Sequence, residues 1–161
     1  RWKTIPKIIP NGTGKFCPTN RNPANILGGT DFDYEIFSNF GCFGISSPRV
    51  LRATWCAPCR KEMPQLDALA ARYQDKNVTI VTLSVDRSGA PKGEKFLDDL
   101  AVKHVTRLYD PSYKSARAVA LIGLPTTLLL DENGMEIGRL AGEADWDAPE
   151  VHALLDYYLN N

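Results

Sequence analysis

The stretch Ala53-Thr54-Trp55-Cys56-Ala57-Pro58-Cys59-Arg60-Lys61-Glu62-Met63-Pro64-Gln65-Leu66 decides how this chain is read. Val50-Leu51 starts a short apolar run leading into it. After it, Met63, Leu66, Ala70 and Tyr73 fall on one helical face. The two cysteines therefore stand where a strand gives way to a helix. A sulfur there faces unpaired backbone N–H groups and the positive end of the helix dipole, and both favour thiolate. Thiolate, not thiol, attacks a disulfide, so Cys56 is expected to be partly ionised near neutrality and to be the nucleophile. The two-residue spacer sets Cys59 one turn behind, close enough to form an intramolecular disulfide and resolve a mixed one. Pro58 fits the first turn because no N–H is needed there. Pro64 predicts a kink rather than an end, since the apolar period continues through it.

Downstream the pattern stays regular. Val78–Val85 is rich in β-branched residues and reads as a largely buried strand. Phe96, Leu97 and Leu100 suggest a helix over roughly 91–103, followed by a strand at Arg107–Tyr109. Tyr113, Ala116 and Ala120 suggest a short helix. Thr126–Leu130 and Met135–Ala141 are two runs joined by Asp131-Glu132-Asn133-Gly134, an Asn-Gly hairpin signal. Asp147 and Glu150 make a D-x-x-E capping pattern before a last helix carrying Val151, Leu154, Leu155 and Tyr158. Strands alternating with helices, closed by a hairpin and a helix, predict an α/β sandwich with a mixed sheet.

Residues 1–48 differ in texture. They hold 6 of the 12 glycines, 5 of the 11 prolines and 7 of the 15 aromatics. Short strands, turns or a wrapping arm are expected there, ahead of one domain over residues 49–161. At 161 residues the chain is one domain's worth, and 43% hydrophobic with 24% charged residues is globular composition. Nineteen Lys and Arg balance nineteen Asp and Glu, so no net charge marks a nucleic-acid binder. No run of eighteen apolar residues is present. The chain opens at Arg1-Trp2, which suggests a processed protein or a piece whose targeting segment is absent.

A structural zinc site needs two ligands beyond Cys56 and Cys59, usually as a second C-x-x-C or an H-x-x-x-H. Cys17, Cys42, His104 and His152 stand singly, so no metal and no cofactor is expected. Cys17 and Cys42 make an even remainder that could form a structural bridge in an oxidising compartment, or stay as two small apolar residues. The same C-x-x-C could instead hold Cu(I), as soft thiolates do, in a metallochaperone-like module.

The W-C-A-P-C motif, its proline-containing helix and Gly123-Leu124-Pro125-Thr126 resemble the thioredoxin superfamily. Residues 53–66, Ser84-Val85-Asp86 and Ala141-Gly142-Glu143-Ala144-Asp145-Trp146 are similar to its TlpA/ResA branch, over about residues 50–159. The resemblance implies a thioredoxin-like three-layer sandwich and a thiol–disulfide oxidoreductase, with Cys56 as nucleophile and Cys59 as resolving cysteine. Pro125 matches the superfamily's cis-proline, which would expose the Leu124 backbone to an extended substrate segment. Trp55 and Pro58 would flank the substrate with Leu124. Glu62 matches an acidic position associated with proton transfer, and otherwise reads as a solvated charge on the helix. A peroxidase of this superfamily would carry T-x-x-C, whereas Trp55 precedes the cysteine here.

Members of that branch are bacterial, usually tethered to the inner membrane and facing the periplasm. The resemblance thus implies a periplasmic, membrane-anchored reductase in electron transport that works as a monomer. Its expected work is cytochrome c biogenesis or maturation of the copper site of cytochrome oxidase. Expected partners are proteins with paired cysteines, such as apocytochrome c or copper-site assembly proteins, and a membrane electron donor for re-reduction. Two features depart from the pattern. Val50 takes the place of the acidic residue that ordinary thioredoxins keep below the disulfide. Arg52 stands in the strand before the motif, where an unpartnered buried charge is costly, so an edge or rim position is expected for it.

Overall fold

The computed structural model describes residues 3–4, 47–76, 78–130 and 136–159. In chain order the elements are β1 (Lys3–Thr4), β2 (Ser47–Arg52), α1 (Ala57–Tyr73), β3 (Val81–Ser84), α2 (Gly89–Asp99), β4 (Thr106–Tyr109), α3 (Lys114–Ala118), β5 (Thr126–Leu130), β6 (Glu136–Ala141) and α4 (Pro149–Leu159). They build a six-stranded sheet in the order β1-β6-β5-β2-β3-β4. β2, β3 and β4 run parallel, and the crossovers this requires are supplied by α1 and α2. β5 pairs antiparallel with β2, β6 with β5, and β1 with β6. The sheet is therefore mixed, as the alternation of runs predicts.

Period-two alternation distributes the strand side chains to two cores. Val50 and Leu129 join Met63, Leu66, Phe96, Leu97, Trp146 and Leu155 on one side. Leu51 and Leu128 join Leu83, Ala116, Cys56 and Cys59 on the other. Helices α1, α2 and α4 thus cover one face, and α3 with the segment after it covers the opposite one. This is the three-layer thioredoxin-like sandwich.

Several boundaries move from their sequence expectation, each for a local reason. Strand pairing in the Val78–Val85 run begins only at Val81, although Val78 and Ile80 are buried in the core. α2 stops at Asp99 rather than near 103. The Ala101 N–H bonds the Asp98 carbonyl and the Val102 N–H bonds the Leu97 carbonyl, with Ala101 at φ 55°. That left-handed closing turn ends the helix. The following loop is held by Asp67 of α1, whose Oδ1 accepts the Lys103 and His104 N–H groups at 2.8 and 2.5 Å. α4 starts at Pro149, and the Ala148 carbonyl accepts the Val151 and His152 N–H groups at 3.0 and 3.5 Å, so the helix opens one residue later than an Asp147 cap would place it. Pro64 lies inside α1 without ending it. Residues 5–46, expected as short strands or an arm and holding Cys17 and Cys42 with their possible bridge, and the expected Asn-Gly turn at 131–134 lie outside the described residues.

Candidate active site at the N-terminus of α1

Cys56 is the N-cap of α1, with extended backbone (φ −83°, ψ 104°), and Pro58 sits in the first turn. Its sulfur accepts the Cys59 N–H at 3.2 Å and is covalently bonded to Cys59 Sγ, with the two Cα atoms 5.2 Å apart. Cys56 is buried to 5% exposure and Cys59 completely, whereas Trp55 beside them is 70% exposed. The pair is oxidised, and the N–H that bonds Cys56 Sγ is one of the orphan donors of the helix start. On reduction the same donor and the helix dipole favour charge on Cys56.

The approach to the motif is braced by Asp86, which the sequence reading quoted without giving it a role. This buried carboxylate accepts the Thr54 N–H at 2.8 Å, the Thr54 hydroxyl at 3.1 Å and the Ser84 hydroxyl at 2.8 Å. β2 and β3 are neighbours in the sheet, so one side chain at the end of β3 fixes the residue two positions before Cys56. The available signal was a lone Asp directly after a buried run.

The Leu124–Pro125 bond, just before β5, is cis. Pro125 is buried, and its carbonyl accepts the Gly142 N–H at 2.9 Å. Leu124 is half-buried and packs on the core cluster that contains both cysteines, while Ile122 is 92% exposed.

Glu62 is not a solvated surface charge. It is 2% exposed, and its Oε1 accepts the Ala144 N–H at 2.5 Å. Burial raises its pKa, and the bond from the Ala144 N–H together with the nearby Trp146 indole partly offsets that rise. Gln65, one turn further on, holds the same segment: its Oε1 accepts the Trp146 N–H at 3.3 Å and its Nε2 donates to Asp145 at 3.2 Å. The charged run at 60–62 therefore divides, with Arg60 and Lys61 exposed and Glu62 turned inward.

Arg52 is not at an edge or rim. β2 lies inside the sheet, between β5 and β3, and the Arg52 side chain is fully buried. Its guanidinium carbon lies 5.3 Å from the Phe96 ring centroid and 5.9 Å from that of Tyr109. Cation–π attraction gives the buried charge a partner that letter patterns do not reveal. Burial lowers its pKa, and Tyr109 and Asp86 oppose that shift. The Tyr109 hydroxyl is itself pushed up to about 12, first by burial and then by the nearby Glu94 carboxylate. Val50, which takes the place of the acidic residue of ordinary thioredoxins, packs in the main core at 0% exposure. Among the described residues, no group of three or more His, Cys, Asp or Glu side chains gathers to hold a metal.

A mixed sheet between two layers, a C-x-x-C disulfide capping a helix, and a cis-proline following a residue packed on the cysteines' core cluster define a thioredoxin-like protein of the TlpA/ResA type. The chain belongs to the Redoxin family, whose sequence profile matches residues 49–155. Thiol-disulfide oxidoreductase ResA of Bacillus cereus (strain ATCC 10987 / NRS 248) is 34% identical over 98 residues, 56% of this chain and 51% of that protein. Thioredoxin-like protein YneN of Bacillus subtilis (strain 168) is 34% identical over 90 residues, 52% of this chain and 48% of its own. The chain thus spans about half the length of the curated relatives it matches. In fold it is similar to StoA from Bacillus subtilis, with a TM-score of 0.59 at 22% identity over 71% of this chain and 82% of that one. A secreted thiol-disulfide isomerase from Corynebacterium glutamicum gives a TM-score of 0.64 at 20% identity, over 78% and 75% of the two chains.

Proposed function

We propose that this chain is a thiol–disulfide oxidoreductase that works as a protein-disulfide reductase. The observation that carries the reading is the Cys56 sulfur at the start of α1, bonded to Cys59 and accepting its N–H. In the reduced protein the Cys56 thiolate attacks one sulfur of a substrate disulfide, and the other substrate sulfur leaves as thiolate. Cys59 then attacks Cys56 Sγ, forming the intramolecular disulfide and releasing the second substrate sulfur. Two electrons pass from the pair to the substrate, and protons neutralise the released thiolates. Cys59 must lose its own proton to attack, and Glu62, one turn on along α1 with its pKa raised by burial, is proposed to handle it. Leu124 beside Pro125 would pair with the extended substrate segment, and Trp55 and Pro58 would flank it.

The cellular setting follows from likeness to the branch. A periplasmic protein, anchored in its full-length form, would receive electrons from a membrane donor. It would pass them to proteins with paired cysteines awaiting haem or copper. Residues 49–161 would be the working domain, with 1–48 an arm upon it. No described helix is long and apolar enough to cross a membrane. The reading is tested with Cys56→Ser. Reduction of insulin by the wild-type protein in the presence of dithiothreitol is expected to fall to the uncatalysed rate in the variant. A folded Cys56→Ser protein that reduces insulin as fast as wild type would overturn the assignment.

A further inference from the structure

Two grooves flank the exposed Trp55, and both are lined by cations. The first, of about 480 Å³, runs past Asp86, Arg87, Lys92, Tyr113 and Arg117. The second, of about 300 Å³, runs past Arg60, Lys92, Lys95, Phe96 and Asp99. Lys92 lies on the ridge they share. Five cations thus face the residue next to Cys56, with two carboxylates. Both carboxylates are already engaged. Asp86 is buried and bonded to Thr54 and Ser84, and Asp99 pairs with Lys95 at 3.1 Å. Arg60 lies over the Phe96 ring at 5.4 Å, and Arg117 donates to the Ser112 carbonyl at 3.2 Å, so both are held in place without neutralisation. Among the described residues, no carboxylate pairs with Arg60, Arg87, Lys92 or Arg117. The whole chain has zero formal charge, so this concentration is local and not a consequence of composition.

We infer that the substrate segment docking at Cys56 is acidic, carrying Asp or Glu on the residues flanking its reactive cysteine. The inference rests on the redox reading above and names the substrate class of that same site. Charges lining two grooves that meet at Trp55, the residue next to the attacking sulfur, act on whatever segment docks there. An anionic flank would fill either groove while Trp55 supplies the apolar contact. Exposed charge pairs are individually weak and screened by salt, so the collar acts chiefly on encounter rate and orientation.

The test uses two disulfide-bonded peptides of equal length, identical except that the residues flanking the cystine are Glu in one and Lys in the other. Exchange is followed with the reduced chain, at low and at high salt. The acidic peptide is expected to react about ten-fold faster at low salt, with the difference shrinking toward parity at high salt. In the double variant Arg87→Glu, Lys92→Glu the preference is expected to reverse, with circular dichroism confirming the fold. Equal rates for the two peptides in wild type, or a preference that the double variant leaves unaltered, would overturn the inference. Binding to phosphatidylglycerol vesicles without any peptide selectivity would assign the collar to a lipid surface instead, and overturn it too. Hydroxyethyl disulfide, small and neutral, separates the two levels. If wild type reduces it but shows no charge preference, only the acidic-substrate inference falls. If wild type does not exchange with it at all, the redox reading falls, and the inference with it.

Discussion

A guanidinium buried against the Phe96 and Tyr109 rings contributes shape as well as charge. A long, unbranched, apolar side chain can occupy much the same space, and replacing a buried charge by a well-packed apolar group is often neutral. Arg52→Met is therefore expected to stay within about 1 kcal/mol of wild type, whereas Arg52→Ala, which leaves a cavity beneath the rings, should lose about 2–4 kcal/mol. Urea unfolding of the oxidised protein measures both. A Met variant as damaged as the Ala variant would mean that the charge itself is required. Glu62 makes a prediction of opposite character, in pH. Its folded pKa is raised, first by burial, above the ordinary value of 4.5 that the unfolded chain shows. Below that ordinary value both states hold the proton and its stabilising contribution is complete. As pH rises through the folded value the contribution is lost, because the folded state must then bury a carboxylate. Glu62→Gln does not titrate, so its stability relative to wild type is expected to climb from about pH 4.5 upward and then level off. Urea midpoints between pH 4 and 8 follow this, and a constant difference across the range would contradict it.

Helix α2 approaches β4 so closely that Gly93 has no room for a side chain. A Cβ built there would stand 2.3 Å from Tyr109 Cε1 and 2.8 Å from its Cδ1. Helix propensity alone would make Gly93→Ala stabilising by about 1 kcal/mol. The clash opposes this, because the Tyr109 ring is also part of the Arg52 environment and cannot move without disturbing it. The steric effect is expected to win, with a net loss of about 1–3 kcal/mol in urea unfolding. A gain in stability would show that Tyr109 swings out freely. The same contact explains what could be read from letters and what could not. α1 was legible because Met63, Leu66, Ala70 and Tyr73 repeat at helical spacing, and β5 because Thr126–Leu130 is one uninterrupted run. The cysteines were legible because two residues three apart define their own geometry. Arg52 and Asp86 were not, and Glu62 only through its match to an acidic position, since their surroundings depend on partners distant in the chain: Phe96 and Tyr109, Thr54, and Ala144 and Trp146. Pattern reading sees a charge on a strand or a helix. It does not see the ring or the N–H group that another element brings to it.

At the scale of the molecule, the sheet sets the C-terminal ends of β2 and β3 and the start of α1 at one disulfide, with Leu124, which precedes the cis-proline, packed on the same core cluster. On the proposed reading a substrate would be held in two ways, covalently by Cys56 and non-covalently by the Trp55 and Leu124 surroundings. Cys59 would end the covalent attachment by attacking Cys56. Cys59 is completely buried, so Cys59→Ala removes the resolving thiol while leaving a small apolar side chain in the core. Loss of one sulfur there should cost no more than about 1–2 kcal/mol of fold stability. The mixed disulfide, once formed, has no internal route to resolution and should persist. Expressed with its native targeting in its own cell, the Cys59→Ala protein is expected to accumulate a few adducts that dithiothreitol dissolves. The trapped proteins should carry paired cysteines, with acidic residues beside the one that reacted. Mass spectrometry of the adducts decides between three kinds of protein. A broad set of unrelated cytosolic proteins would indicate a general thioredoxin, and an empty set would point to a metal-carrying role for the pair. A short set of haem- or copper-destined proteins is the outcome expected of a dedicated reductase, because only partners that fit the surroundings of Cys56 stay long enough to react.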